Sequence, residues 1–128
     1  MCFTNIQVKE RLIMKKVEFI IRPDKLEKLK VILNEYHIGG ITVTSAMGCG
    51  NQKGSTDVAN YKGIEVANLN LIPKIKAEVV VNDEDVEKIL ALIYENLSTG
   101  TVGDGKVFVS SIDDVMRIRT GQRGKKAI

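Results

Sequence analysis

The sequence has no tryptophan, and aromatic residues make up only 5% of it, so stacked aromatic platforms for bases or sugars are not part of its repertoire. It has a single histidine, His37, which excludes a histidine-built metal centre. No Cys–His pair, Ser–His–Asp set or group of clustered carboxylates accompanies its glycine-rich segments, which leaves little material for nucleophilic or acid–base catalysis. Its only cysteines, Cys2 and Cys49, lack CxxC spacing, and no hydrophobic leader precedes them; a disulfide framework or structural zinc is not expected, and a reducing cytoplasm is. No apolar run is long enough to cross a membrane. Excess charge is scarce too, at +3 with acids interleaved among the bases, so no strong nucleic-acid footprint is written into the chain.

What is present is the composition of one globular domain, 44% hydrophobic and 27% charged over 128 residues. The first 13 residues show no periodicity and precede a second methionine, Met14, that opens "MKKVEFIIRP" like a fresh start. The codons of Lys9, Glu10 and Arg11 can spell a purine-rich ribosome-binding sequence, so residues 1–13 are expected to be an N-terminal extension that arose from a misassigned start. The domain is expected over 14–128.

A shift of 60 residues lays "KVEFIIRPDKLEKLKVILNEY" on "KAEVVVNDEDVEKILALIYEN" without a gap. Val17, Phe19 and Ile21 alternate with Glu18 and Ile20, and Ala77, Val79 and Val81 do the same with Glu78 and Val80, as strands require. Asp24 and Asp83 stand at helix-cap positions, followed at helical spacing by Leu26, Leu29 and Leu33 or by Val86, Ile89 and Ile93. A second strand follows each helix, "GITVTSAMG" and "KVFVSSI". Two such βαβ units predict an α+β, ferredoxin-like fold, with a four-stranded antiparallel sheet and two helices on one face. No third long helix is left to cover the other face, which predicts an oligomer.

Residues 49–72 between the halves are too long for an ordinary connection and read as a functional arm. Ordering it would cost about 1 to 2 kcal/mol per residue, so mobility is expected until a ligand or partner holds it. Three segments combine glycine with cations: "GCGNQKG" (48–54), "TGTVGDGKVFV" (99–109) and "RIRTGQRG" (117–124). Bare backbone lets amides approach an anion, and each charge-assisted bond to phosphate contributes about 1.5 to 3 kcal/mol. The plainer readings are a tight turn for "GDGK" and a solvated basic tail for the last segment; Arg117 and Arg119 are expected on one face of an extended stretch.

Taken in order, "MKKVEFIIRP", "GITVT", "GCGNQKG", "LIPKIKAEVVV", "TGTVGDGKVFV" and "RIRTGQRG" resemble the PII nitrogen-regulatory signalling family over residues 14–128. The resemblance implies a homotrimer that binds ATP or ADP between subunits, senses 2-oxoglutarate together with Mg-ATP, and offers its long loop to a target. Such targets would be an ammonium transporter, a glutamine-pathway enzyme or a nitrogenase system, reached from the cytoplasm or at a membrane transporter's surface. It implies a nucleotide site with Ile20, Thr42, Gly48, Gly50, Asn51 and Gln52 on one side and Gly103, Asp104, Gly105 and Lys106 below the phosphates. Glu78 and Val80 would face the adenine, while Arg117 and Arg119 would come from the neighbouring subunit. The keto acid would be held by Gln52, Lys53, Gly54 and Lys74, and magnesium by Gln52 through bound ATP. A dicarboxylate beside a triphosphate needs such cations to offset repulsion; read alone, Lys74 is also an ordinary edge-strand lysine.

Departures from the pattern carry expectations of their own. Asn51 stands where the family usually has arginine, which removes a positive charge near the triphosphate and leaves ATP-over-ADP preference open. Val66 falls where many members have a uridylylated tyrosine and Ile64 where some have a phosphorylated serine; Tyr61 matches a different loop tyrosine, so neither covalent switch is expected. Cys49 replaces a commonly aromatic residue and reads as a small buried hydrophobe. Rival readings are a PII-like nucleotide sensor that ignores 2-oxoglutarate, a small nucleotide-directed enzyme, and a purely structural assembly protein.

Overall fold

The structure is a computed structural model and describes residues 14–38, 40–49 and 71–128. Six regular elements follow one another: β1 (Met14–Ile21), α1 (Leu26–Glu35), β2 (Thr42–Gly48), β3 (Ile72–Asn82), α2 (Asp83–Leu97) and β4 (Lys106–Ser111). They form one four-stranded sheet in the order β2-β3-β1-β4. Every neighbouring pair is antiparallel. This is the doubled βαβ plan that the internal repeat predicts, and β1 begins at Met14.

Alternation assigns the two sheet faces. Val17, Phe19, Ile21, Ala77, Val79 and Val81 are all buried. They pack against Leu29, Ile32 and Leu33 of α1 and Val86, Ile89, Ile93 and Leu97 of α2 in a single core. Each such side chain removed from water contributes about 1.5 to 3 kcal/mol, which fixes strand register, because a slip of one residue would turn these side chains outward.

Register places Lys16, Glu18, Lys76 and Glu78 on the opposite face, where they pair with one another. The Lys76 ammonium lies 3.2 Å from Glu78 and 3.4 Å from Glu18, and Lys16 lies 3.8 Å from Glu78. The hydrogen bond to Glu78 and the charge of Glu18 raise the Lys76 pKa, and the bond from Lys76 lowers that of Glu78.

The helix entries differ from expectation. Asp24 lies inside a 3-10 turn, Pro23–Lys25, that leads into α1, and Asp83 is the first residue of α2 rather than its cap. Asn82 occupies the cap position without a side-chain capping bond. Asp83, Glu84 and Asp85 instead crowd the first turn, where the helix dipole favours negative charge. Cys49 is exposed rather than buried; it follows β2, an edge strand of the sheet.

Candidate functional site

The site residues fall into two groups at opposite ends of β3. From Lys74 to Val80 is six residues of extended chain, roughly 20 Å at the usual rise per residue.

The first group lines a cavity of about 720 Å³. Thr42, Glu78, Val80 and Arg117 converge on it, joined by Lys16, His37, Ile38, Gly40, Ile41, Asn82, Asp85 and Lys125. Thr42 and Glu78 are directly opposed in the β2–β3 ladder, which explains why they meet. Arg117 is delivered by the C-terminal segment. Its amide donates to Gln122 O (2.8 Å), its carbonyl accepts from the Gly121 amide (2.7 Å), and Met116 bridges to Arg123. The segment is therefore a tight reversal, not the extended stretch expected of "RIRTGQRG". Gly121, at φ 73°, allows the chain to turn, and Arg119 sits exposed in that turn while Arg117 is half-buried. An ion pair from Arg123 to Asp114 ties the base of the reversal. Asn82 also lines this cavity, and its Oδ1 is buried with no hydrogen-bond partner among the described residues.

The second group is built around the glycine loop before β4. Lys74 Nζ donates to Gly103 O at 2.8 Å, and its side chain lies so close to Gly48 that a Cβ there would meet Lys74 Cγ at 2.9 Å. At Gly105 a Cβ would fall 1.9 Å from the carbonyl oxygen of Ile20, and φ is 106°, so only glycine fits. The bare backbone that is conspicuous in the sequence therefore has a concrete cause: the loop closes onto the end of β1. Lys106 then opens β4 opposite Ile20.

Asp104 turns its carboxylate into its own loop. It accepts from the Thr99 amide (2.8 Å), the Gly100 amide (3.0 Å) and the Thr99 hydroxyl (2.5 Å). Arg22 lies 3.5 Å away and also donates to Thr101 Oγ1 (3.2 Å) and Val102 O (2.8 Å). The Thr99 hydroxyl and amide, the Gly100 amide and the Arg22 charge together hold the Asp104 carboxyl at about 2.

Thus Thr42, which the resemblance assigns to one side of a site, and Arg117, which it assigns to the neighbouring subunit, line one cavity of one chain, whereas Ile20, Gly48, Lys74, Gly103, Gly105 and Lys106 gather elsewhere. Gly50, Asn51, Gln52, Lys53 and Gly54 lie outside the described residues, as do residues 1–13, Tyr61, Ile64 and Val66. Sequence reasoning missed Gly40, Asn82, Arg22 and Thr99. Gly40, beside Gly39 before a strand, carried a readable signal; Arg22 did not. Among the described residues no group of three or more His, Cys, Asp or Glu could hold a metal, and no helix is long and apolar enough to cross a membrane.

Residues 14–122 match the family model described as nitrogen regulatory protein P-II. The chain belongs to the P-II family. It is 47% identical to nitrogen regulatory protein P-II 2 of Methanothermobacter thermautotrophicus, over 90% of this chain and 97% of that protein. Its fold matches the B. subtilis GlnK–ATP complex with a TM-score of 0.72 and 34% identity, covering 91% of this chain and 98% of that one. It also matches Arabidopsis thaliana PII bound to citrate, with a TM-score of 0.70 and 35% identity over 91% and 92%.

Proposed function

We propose that this P-II protein is a non-enzymatic cytoplasmic sensor, a homotrimer that binds ATP or ADP where subunits meet and passes the occupancy to a protein target through residues 49–72. One observation carries the reading: the Arg117 cavity and the Lys74–glycine-loop group lie at opposite ends of β3, and Gly48, Lys74, Gly103, Gly105 and Lys106 are all absent from the cavity wall. A nucleotide gripped by both groups must draw one from each of two chains. The half-buried Arg117 and the cavity's size suit a nucleoside, and the glycines with Lys106 suit its phosphates. The likeness to a GlnK–ATP complex supports the nucleotide class.

The keto acid 2-oxoglutarate is the finer part of the proposal. Its carboxylate would take Lys74 away from Gly103 O, and magnesium held through ATP and Gln52 would offset the repulsion between carboxylate and phosphates. Asn51, in place of the family's usual arginine, favours a second reading in which a nucleotide is sensed and 2-oxoglutarate is not. The occupied states act on the target only through unequal affinity for different states of the 49–72 arm.

Light scattering with titration calorimetry tests both readings. The expected result is a trimer that binds ADP and ATP, with further heat from 2-oxoglutarate only when Mg-ATP is present; Arg117→Ala weakens the nucleotides about tenfold. A monomer, or indifference to millimolar adenine nucleotide, defeats the proposal. Nucleotide heat without keto-acid heat selects the second reading.

A further inference from the structure

The loop over residues 99–105 is held by bonds among its own side chains and backbone and by Arg22. Arg22 can only donate and the ionised Asp104 can only accept, so the hydroxyls between them have fixed proton directions. Arg22 Nη2 donates to Thr101 Oγ1, Thr101 to Thr99 Oγ1 (2.6 Å), and Thr99 to Asp104 Oδ1 (2.5 Å). The Arg22–Asp104 ion pair closes the ring. The network reaches from the end of β1 to a loop about eighty positions later in the chain, and the fit of Gly105 against Ile20 O pins the same two segments a second time.

Two consequences follow from the chemistry. A carboxylate between Gly103 and Gly105 would repel a phosphate if it were free. Here two amides, a hydroxyl and a guanidinium absorb its charge, so the loop can present Lys106 and its bare backbone to an anion without a competing negative group. A loop already ordered also spares the ligand the entropy of ordering it.

We propose that Arg22, Thr99 and Asp104 are positioning residues that hold the 99–105 loop in its phosphate-receiving shape before a nucleotide arrives. The inference rests on the nucleotide reading above and adds which residues prepare the loop.

The test uses the full chain with ADP and adenosine as probes in calorimetry, and amide hydrogen exchange at Thr99 and Gly100 without ligand. Asp104→Asn and Thr99→Val are expected to weaken ADP about tenfold while leaving adenosine unchanged, and Thr99→Ser, which keeps the hydroxyl, to restore ADP binding. Exchange at the two amides should quicken in Asp104→Asn. Unchanged ADP affinity in both variants, equal weakening of ADP and adenosine, or failure of Thr99→Ser to rescue overturns the inference. If the unaltered protein binds no adenine nucleotide, the functional reading falls by itself. Exchange then decides the loop claim alone, with protection lost in Asp104→Asn supporting it and equal exchange overturning it.

Discussion

Each helix is followed by a connection back to the sheet, and the two connections are closed by different means. After α1 the backbone does the work. The Ile38 amide donates to Leu33 O (3.2 Å) and that of His37 to Asn34 O (3.0 Å), with His37 at φ 57° where such a helix end usually has glycine. Ile38 then packs onto the core. After α2 the chain leaves in an extended conformation at Ser98, and side chains close the loop: Asp104 onto Thr99 and Gly100, and Arg22 from the end of the neighbouring strand β1. Duplicated halves thus diverge at equivalent places. The exit closed by backbone lines the cavity through His37, Ile38, Gly40 and Ile41. The exit closed by side chains depends on particular residues and lies at the glycine group.

The sharpest test of the equivalence lies beneath both connections. Leu29 and Ile89 are each fully buried at matching positions, so replacing either by alanine should cost about 2 to 5 kcal/mol in urea unfolding. A large cost at one and little at the other would break the repeat as a physical unit. At the connections themselves, Gly105→Ala should cost about 3 kcal/mol, because its Cβ meets backbone at Ile20, while Gly40→Ala, with open space around it, should cost under about 0.5 kcal/mol.

Acid should also separate the two exits. The folded-state pKa of Asp104 is depressed to about 2 from the usual 3.8, so its contribution is complete above 3.8 and is lost as pH falls toward 2. Urea midpoints measured from pH 5 to pH 2 should fall more steeply in the unaltered protein than in Asp104→Asn. Smallest of all, His37→Gly should raise stability by about 0.5 to 1 kcal/mol by removing a side chain from left-handed backbone. A loss would mean that the imidazole holds the first exit after all.

Much of this architecture was legible because it is periodic. The inward residues of β1 and β3 and the apolar stripes of both helices recur at spacings that only one layered arrangement satisfies, and all those read as core are buried except Leu26, which is half-buried. The site was legible only as composition: glycines and cations at strand ends. Which of them meet depends on long-range pairing that no local pattern records. Thr42 joins Arg117 through the path of the C-terminal reversal, and Arg22 joins Thr101 through strand order. The caps expected at Asp24 and Asp83 failed for a related reason: an acidic residue in a helix's first turn satisfies the dipole as well as one at its boundary, so composition alone does not place the boundary.

The last described rung of the β2–β3 ladder joins Gly48 to Ile72. The chain between them therefore begins and ends at one point of the sheet. Doubling its length would cost about 0.6 kcal/mol of closure entropy. The scaffold can therefore keep its rungs, and the proposed ligand residues Gln52, Lys53 and Gly54, while the text beyond them is rewritten for each new listener, and grafting a relative's residues in place of 55–71 should transfer its choice of listener with it.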